Sequence, residues 1–178
     1  MKKMILVSLI LSLLLAVPAF AESSGTTKVD WSPAMEQTFV AAGFEGNWYT
    51  LTLGEIKCET IIPTGLERRD PTEEEAAEGF VLVFENAELN ASIKVKDSYL
   101  QDFENLDAIG AYLKEQNPDT ILQFGTFNGT DALLNTIAET EQVNAIFALG
   151  DHHYVQILYT PGSGNINMIP LLVASVQF

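Results

Sequence analysis

Residues 120–137, TILQFGTFNGTDALLNTI, decide how the last third of the chain folds. Two runs rich in β-branched, aromatic and leucine side chains flank Asn128-Gly129 at the centre of this stretch. An Asn-Gly pair favours the two positive φ angles of a tight type I′ turn. The stretch therefore predicts a β-hairpin with strands at 120–127 and 130–137.

Strand pairs with similar patterns lie on both sides of this hairpin. Alternating or continuous apolar runs predict three further pairs, which are 48–53 with 56–62, 80–84 with 91–96, and 143–149 with 154–160. The run at 80–84, FVLVF, is apolar throughout, which is typical of a central strand buried on both faces.

Helix signals separate these strands. They lie at four places, which are 33–42 after Ser32, 70–79 with Asp70 as the cap, Leu106–Gln116 after Asn105, and 166–174 with Asn165 as the cap. Helices that do not alternate regularly with strands argue against a doubly wound parallel sheet. We expect a single α+β domain over 31–178, an antiparallel sheet packed between helices, after a disordered lead-in at 22–30.

The composition excludes several classes of function. The 178 residues include 24 acidic and nine basic side chains. Binding to nucleic acid or to anionic lipid requires a surplus of cationic side chains, so neither is expected. One cysteine, Cys58, excludes a disulfide framework and a multi-cysteine zinc site. With 47% hydrophobic residues, the chain is too apolar to be disordered.

The first 21 residues have the features of a secretory signal peptide. Lys2-Lys3 is followed by an apolar run over 4–17 and then by Ala19-Phe20-Ala21, which predicts cleavage before Glu22. A membrane anchor is the alternative, but the run is short for a bilayer about 30 Å thick. We expect a periplasmic or extracellular protein whose mature chain has no transmembrane segment. Without the two lysines, 24 acidic side chains face seven basic ones, a formal charge of −17.

The succession of these elements resembles the PsbP-like family, an α-β-α sandwich of small exported proteins. The segments concerned are IPTG at 62–65, the strand pair at 80–96, LDAIGAYL at 106–113, FNGTDAL at 127–133 and ASVQF at 174–178. The resemblance covers roughly residues 48–178. It implies a non-enzymatic accessory or binding protein, and no metal or partner site of the family maps onto this chain residue by residue.

Asp151-His152-His153 is a cluster of metal-ligand residue types. Adjacent side chains on an extended strand point to opposite faces, so the two imidazoles would share an ion only if a turn bends them together. A zinc site also needs three or four ligands, and the chain has no other histidine. A hairpin tip with two exposed imidazoles is the simpler interpretation.

An acidic cluster lies at the predicted helix start, where Glu73, Glu74 and Glu75 are followed by Glu78. A weak calcium site is the alternative interpretation, but no EF-hand loop is present. Acidic side chains stabilise the positive end of a helix, so a solvated helix face explains the cluster without a ligand. We expect no metal ion and no cofactor.

Nucleophilic catalysis has weak support. No G-x-S-x-G motif occurs. Cys58 could pair with His152 or His153, but it alternates with apolar residues on the predicted core face, where a thiol is inert. A carboxylate pair for glycoside hydrolysis stays open, although nothing selects one.

The sequence thus favours an exported, non-catalytic binding or accessory domain. The alternative is an exported hydrolase with an active site of acidic residues. If the negative charge serves recognition, the partner is a basic protein or polycation, and the acids at 73–75 and 78 are its first expected contact.

Overall fold

The structure, a computed structural model, describes residues 27–137, 139–162 and 168–178. Of these residues, 49% lie in strands and 22% in helices, so the chain is mostly β. In chain order the elements are β1 Thr27–Val29, α1 Pro33–Ala41, β2 Gly46–Leu53, β3 Ile56–Pro63, β4 Glu67–Arg69, α2 Glu73–Ala77, β5 Phe80–Asn86, β6 Ala91–Tyr99, α3 Leu106–Gln116, β7 Ile121–Phe127, β8 Thr130–Ile137, β9 Gln142–Gly150, β10 His153–Pro161 and α4 Ile169–Ala174.

Eight strands form one mixed sheet in the order β1-β7-β8-β9-β10-β6-β5-β4. β1 pairs with β7 in parallel, and the other pairs are antiparallel. β2 and β3 form a separate two-stranded sheet. The predicted antiparallel sheet packed between helices is therefore wrong.

The hairpin β2–β3 explains this difference. Its strands bury Leu51, Leu53, Cys58 and Ile62, which share one apolar cluster with side chains of the large sheet. The hairpin therefore forms a second β layer on a face where helices were expected. Alternation in the sequence shows that a strand is half-buried, but it does not show which sheet the strand joins.

Both faces of the large sheet are covered in part. Helix α4 joins the hairpin on one face, where its Val173 is fully buried. On the other face, Ile109 of α3 packs on Leu133, Ile146 and Tyr154. The hydrophobic core thus lies mainly between the large sheet and the hairpin.

Several local predictions are confirmed. Helix α3 has the predicted bounds, and Asn105 caps it by accepting a hydrogen bond from Ala108 N at 2.9 Å. Asn128 and Gly129 form the predicted β7–β8 turn, with φ of 49° and 85°. Helix α2 differs, because Thr72 rather than Asp70 is its N-cap, in a capping box with Glu75.

Some predictions fall outside the described residues. These are the signal peptide at 1–21 with its cleavage residues Ala19, Ala21 and Glu22, and the cap Asn165. The lead-in predicted as disordered at 22–30 is described from residue 27, where Thr27–Val29 form β1. Within the described part of the chain, no helix combines the length and apolarity needed to span a membrane.

Candidate functional site

The β9–β10 turn places the two histidines against different neighbours. Asp151 and His152 are the turn residues, with φ of 48° and 59°. His152 Nδ1 lies 2.7 Å from the carbonyl oxygen of Phe103, in the segment before α3. His153 Nε2 lies 2.5 Å from Asp97 Oδ1 on β6. The two rings therefore make separate contacts instead of converging on one ion.

His153 is held firmly by β6. Its ring stacks on Tyr99, with centroids 4.2 Å apart and planes 12° apart, and 16% of its side chain is exposed. The hairpin tip is thus less exposed than the sequence predicted. Among the residues that the structure describes, no three His, Cys, Asp or Glu side chains are grouped closely enough to hold a metal ion.

The acidic residues of α2 divide into two kinds. Glu73, Glu74 and Glu78 are exposed, as a solvated helix face predicts. Glu75 is 8% exposed and points inward, so it does not belong to that face. The acidic patch predicted as a first contact for a basic partner is accordingly reduced to three side chains.

Glu75 and Glu85 share Arg69 in an ion-pair network. Arg69 Nη1 and Nη2 donate to the two carboxylate oxygens of Glu75 at 2.5 and 2.8 Å, and Arg69 Nε lies 2.6 Å from Glu85 Oε1. Lys94 Nζ adds a contact of 2.8 Å to Glu75 Oε1.

These bonds from Arg69 hold the pKa of both carboxyls, Glu75 and Glu85, below the usual range. A glycoside hydrolase needs one carboxyl kept protonated as the acid. Because both Glu75 and Glu85 are ionised, this pair is better suited to holding β4, α2, β5 and β6 together than to acid–base catalysis.

The two nucleophilic side chains of β3, Cys58 and Thr60, are buried in the core. Cys58 is fully buried, as predicted, and burial raises the pKa of its thiol to about 12. The neighbouring Thr60 Oγ1 lies 3.0 Å from Ser175 Oγ, and both residues are buried. Cys58 belongs to the same apolar cluster as Tyr159, whereas the ring nitrogens of His152 and His153 contact Phe103 and Asp97. A Cys–His pair does not form.

A small cleft opens where β3, β10 and α4 meet. Its volume is about 70 Å³, and its walls include Leu66, Ile93, Tyr159, Met168 and Leu172. Pockets for small organic ligands usually exceed about 300 Å³. The Tyr159 hydroxyl is buried and has no hydrogen-bond partner among the described residues. The cleft is too small for a typical substrate or cofactor.

Strand β2 has an open edge. Within the described residues, it pairs with β3 alone. Outside that ladder, none of the hydrogen bonds found among the described residues reaches the backbone of Gly46–Leu53. Six of its eight residues are exposed, and only Leu51 and Leu53 are buried. The strand is therefore anchored mainly through two leucines, and no described residue pairs with its outer edge.

The opposite edge of the hairpin reveals which groups of β2 face outward. Glu59 of β3 exchanges two backbone hydrogen bonds with Gln177, at 2.8 and 2.9 Å, on the side away from β2. Glu59 is paired with Thr50, and in an antiparallel ladder paired residues alternate between bonded and non-bonded pairs. Thr50 is thus in a non-bonded pair.

By the same alternation, Trp48 and Thr52 are also in non-bonded pairs. Ile61, the partner of Trp48, supports this assignment because its N–H donates to Ser175 Oγ at 3.0 Å, away from β2. Trp48, Thr50 and Thr52 therefore direct three N–H and three C=O groups to the open edge.

The edge of β2 also lacks the usual protection. Its sequence, GNWYTLTL, contains no charged residue and no proline, although both are common devices that prevent a further strand from pairing. The two edges of the large sheet are β1 and β4, each three residues long. Short edge strands are themselves protective. Among the described edge strands, β2 with its eight residues is therefore the long and unprotected one.

Comparison of the chain with models of known protein families gives no match, and comparison with curated proteins gives none. The resemblance to PsbP-like proteins therefore stays a prediction from sequence, and the layered arrangement that it implied is corrected by the observed topology.

The β2 edge is the feature that the sequence analysis missed. The strand itself was predicted, but pairing on its second side depends on which distant segment lies beside it. The uncharged run at 46–53 was the available signal, since charged residues make up 19% of the chain.

Proposed function

We propose that this chain is an exported, non-catalytic binding module that holds an extended segment of a partner protein along the open edge of β2. The observation that carries the proposal is the row of outward N–H and C=O groups at Trp48, Thr50 and Thr52. Strand addition of this kind uses backbone hydrogen bonds for affinity and side chains on alternate positions for specificity.

The six backbone groups set the scale of the interaction. Each hydrogen bond contributes about 0.5–1.5 kcal/mol net, so the bonds alone supply only modest affinity. Trp48 provides a further contact, because the residue is 41% exposed and its ring packs edge-on against Trp31 at a centroid distance of 5.6 Å. Exposed, well-supported tryptophans are frequent anchors of binding energy.

The export and the binding class rest on separate observations. Export is supported by Lys2-Lys3, the apolar run and Ala19-Phe20-Ala21. A binding class is supported by the burial of Cys58, Thr60 and Ser175, since a buried nucleophile does not meet a substrate.

Proline at position 50 tests the proposal. The N–H of Thr50 faces outward, so Thr50→Pro removes a donor from the edge without removing a bond of the β2–β3 ladder. Thr50→Val keeps the N–H and the β-branched shape, and it is the matched control. The probe is a capped synthetic peptide of eight alternating valine and threonine residues between two glutamines, measured by fluorescence anisotropy.

We expect the wild-type protein and Thr50→Val to bind this peptide equally and Thr50→Pro to bind it at least about tenfold more weakly, since one lost edge bond also disturbs its neighbours. Thermal unfolding of each variant verifies that it is folded, and Thr52→Pro replaces Thr50→Pro if the latter is not. Equal binding by a folded proline variant, or no binding by the wild type, would overturn the proposal.

A further inference from the structure

The ends of β2 carry charge, although the strand itself carries none. Glu45 precedes the strand and Glu55 lies in the turn that follows it, and both side chains are exposed. An extended segment lying along β2 would pass both carboxylates, because eight residues span about 27 Å at 3.4 Å per residue. Its first and last side chains would meet negative charge.

A second copy of this chain is disfavoured in the register that aligns the outward residues of the two strands. Antiparallel pairing that places Trp48 and Thr52 opposite one another also places Thr50 opposite its own counterpart. Glu45 would then lie opposite Glu55 of the second copy, at both ends of the pair. Like charges placed opposite one another across two strands are destabilising.

A cationic partner would be attracted by the negative charges that repel a second copy. The expected mature chain has a formal charge of −17, so its field attracts basic segments over a distance before any contact forms. Beside β2, the strand β3 presents one exposed side chain of each sign, Glu59 paired with Thr50 and Lys57 paired with Thr52, and β2 itself contributes no charge. Because these two opposite charges offset one another, Glu45 and Glu55 at the two ends provide the net negative charge near the edge.

From this arrangement we infer that the partner segment of β2 carries a lysine or arginine at each end of about eight uncharged residues of high β propensity. The inference rests on the proposed function, because it names the chemistry of the segment held by the same edge. The uncharged centre pairs with the backbone of β2, and the two cations lie beside Glu45 and Glu55.

Three peptides test it. They share the centre of eight alternating valine and threonine residues, and their two end residues are lysine, glutamine or glutamate. Each opposite-charge pair across two strands changes affinity a few-fold, so we expect the lysine peptide to bind about 3- to 10-fold more tightly than the glutamine peptide at low salt. The glutamate peptide should bind most weakly.

The double variant Glu45→Gln/Glu55→Gln should bind all three peptides with similar affinity. The matched control, Glu104→Gln/Glu115→Gln, removes the same number of charges from exposed positions beside and on α3, across the large sheet from the hairpin. This control should keep most of the preference for lysine. Salt near 0.5 M should weaken the preference in the wild type, because the screening length falls to about 4 Å.

The outcomes separate the inference from the proposed function. If all three peptides bind the wild type equally and Thr50→Pro abolishes binding, the edge binds a strand but the inference about its ends is overturned. If the glutamine peptide does not bind at all, the proposed function fails first. If the wild type dimerises in sedimentation experiments and Thr50→Pro does not, the occupant is a second copy and the inference is also overturned.

Discussion

Replacement of Glu75 by glutamine tests whether the ion-pair network holds the β4–β5–β6 end of the sheet together. The carboxylate of Glu75 accepts two hydrogen bonds from Arg69, one from Lys94 Nζ and one from Thr72 N at 2.9 Å. Glutamine has the same shape and can still complete the capping box. The substitution therefore isolates the loss of charge.

The magnitude follows from the burial and the number of charged partners. A hydrogen bond to a charged group contributes about 1.5–3 kcal/mol, and loss of one partner from a largely buried pair costs about 3–5 kcal/mol. Arg69 keeps Glu85, which reduces the cost, so we expect a loss of about 2–4 kcal/mol. For a domain of this size, that loss lowers Tm by roughly 5–15 °C. Glu74→Gln, on the exposed side of the same helix, should cost no more than about 0.5 kcal/mol.

The pH dependence gives a sharper test than the loss itself. The pKa of Glu75 in the folded chain lies below its usual value of 4.5, chiefly because of the bonds from Arg69. The contribution of its carboxylate to the free energy of unfolding is therefore complete above about pH 4.5. Below that pH, it declines by about 1.4 kcal/mol for each pH unit.

Urea unfolding of the wild type and Glu75→Gln at pH 7 and pH 3 measures this change. The difference in the free energy of unfolding between the two proteins should be about 2 kcal/mol smaller at pH 3 than at pH 7. A gap that is equal at both pH values, or absent at pH 7, would refute the assignment of Glu75 as an ionised, ion-paired residue.

Four other predictions concern the β7–β8 turn, the Cys58 thiol, the Tyr159 hydroxyl and the signal peptide. Gly129→Val should destabilise the chain by about 1–3 kcal/mol in urea unfolding, since φ of 85° strains a β-branched residue, whereas Gly129→Asn should cost less. The Cys58 thiol should react with a thiol reagent far more slowly in the native protein than after denaturation, and rapid native reaction would place it at the surface. Tyr159→Phe should leave stability equal or raise it by up to about 1 kcal/mol, because the lost hydroxyl has no partner among the described residues, and a clear loss would reveal one. Intact mass of exported protein should correspond to a chain that begins at Glu22, and retention of residues 1–21 would contradict the predicted cleavage.

Local features of the fold could be predicted because their causes lie within a few residues. Asn105 caps α3 through a bond to Ala108, three positions away, and Asn128-Gly129 adopts positive φ angles within the turn itself. The burial of Cys58 followed from alternation along β3. In each case the residues that cause the feature lie within the same helix, strand or turn as the feature itself.

The features that could not be predicted depend on distant contacts. Asn128 also accepts a hydrogen bond from Trp31 N and donates to the carbonyl oxygens of Ala174 and Val176. Glu75 was predicted as solvated, whereas its partners Arg69 and Lys94 lie on the strands β4 and β6. Periodicity describes one face of one element, and it carries no information about which element covers that face.

The position of the β2–β3 hairpin connects these distant contacts to the proposed function. An isolated two-stranded sheet is marginally stable in water. Here the hairpin is held on one side by the burial of Leu51 and Leu53 against the large sheet, and on the edge of β3 by the two backbone bonds between Glu59 and Gln177.

The position of β2 is consequently fixed by contacts within the chain and needs no partner. A binding surface that is already ordered avoids much of the entropy loss that accompanies association. The contacts that stabilise the hairpin thus lie away from the outer edge of β2. A substitution that breaks the Glu59–Gln177 pairing, such as Gln177→Pro, should weaken the binding of a peptide to β2 without touching the edge. Gln177→Ala keeps the backbone N–H and is the control. If Gln177→Pro lowered thermal stability but left peptide affinity unchanged, preorganisation of β2 would not contribute to binding.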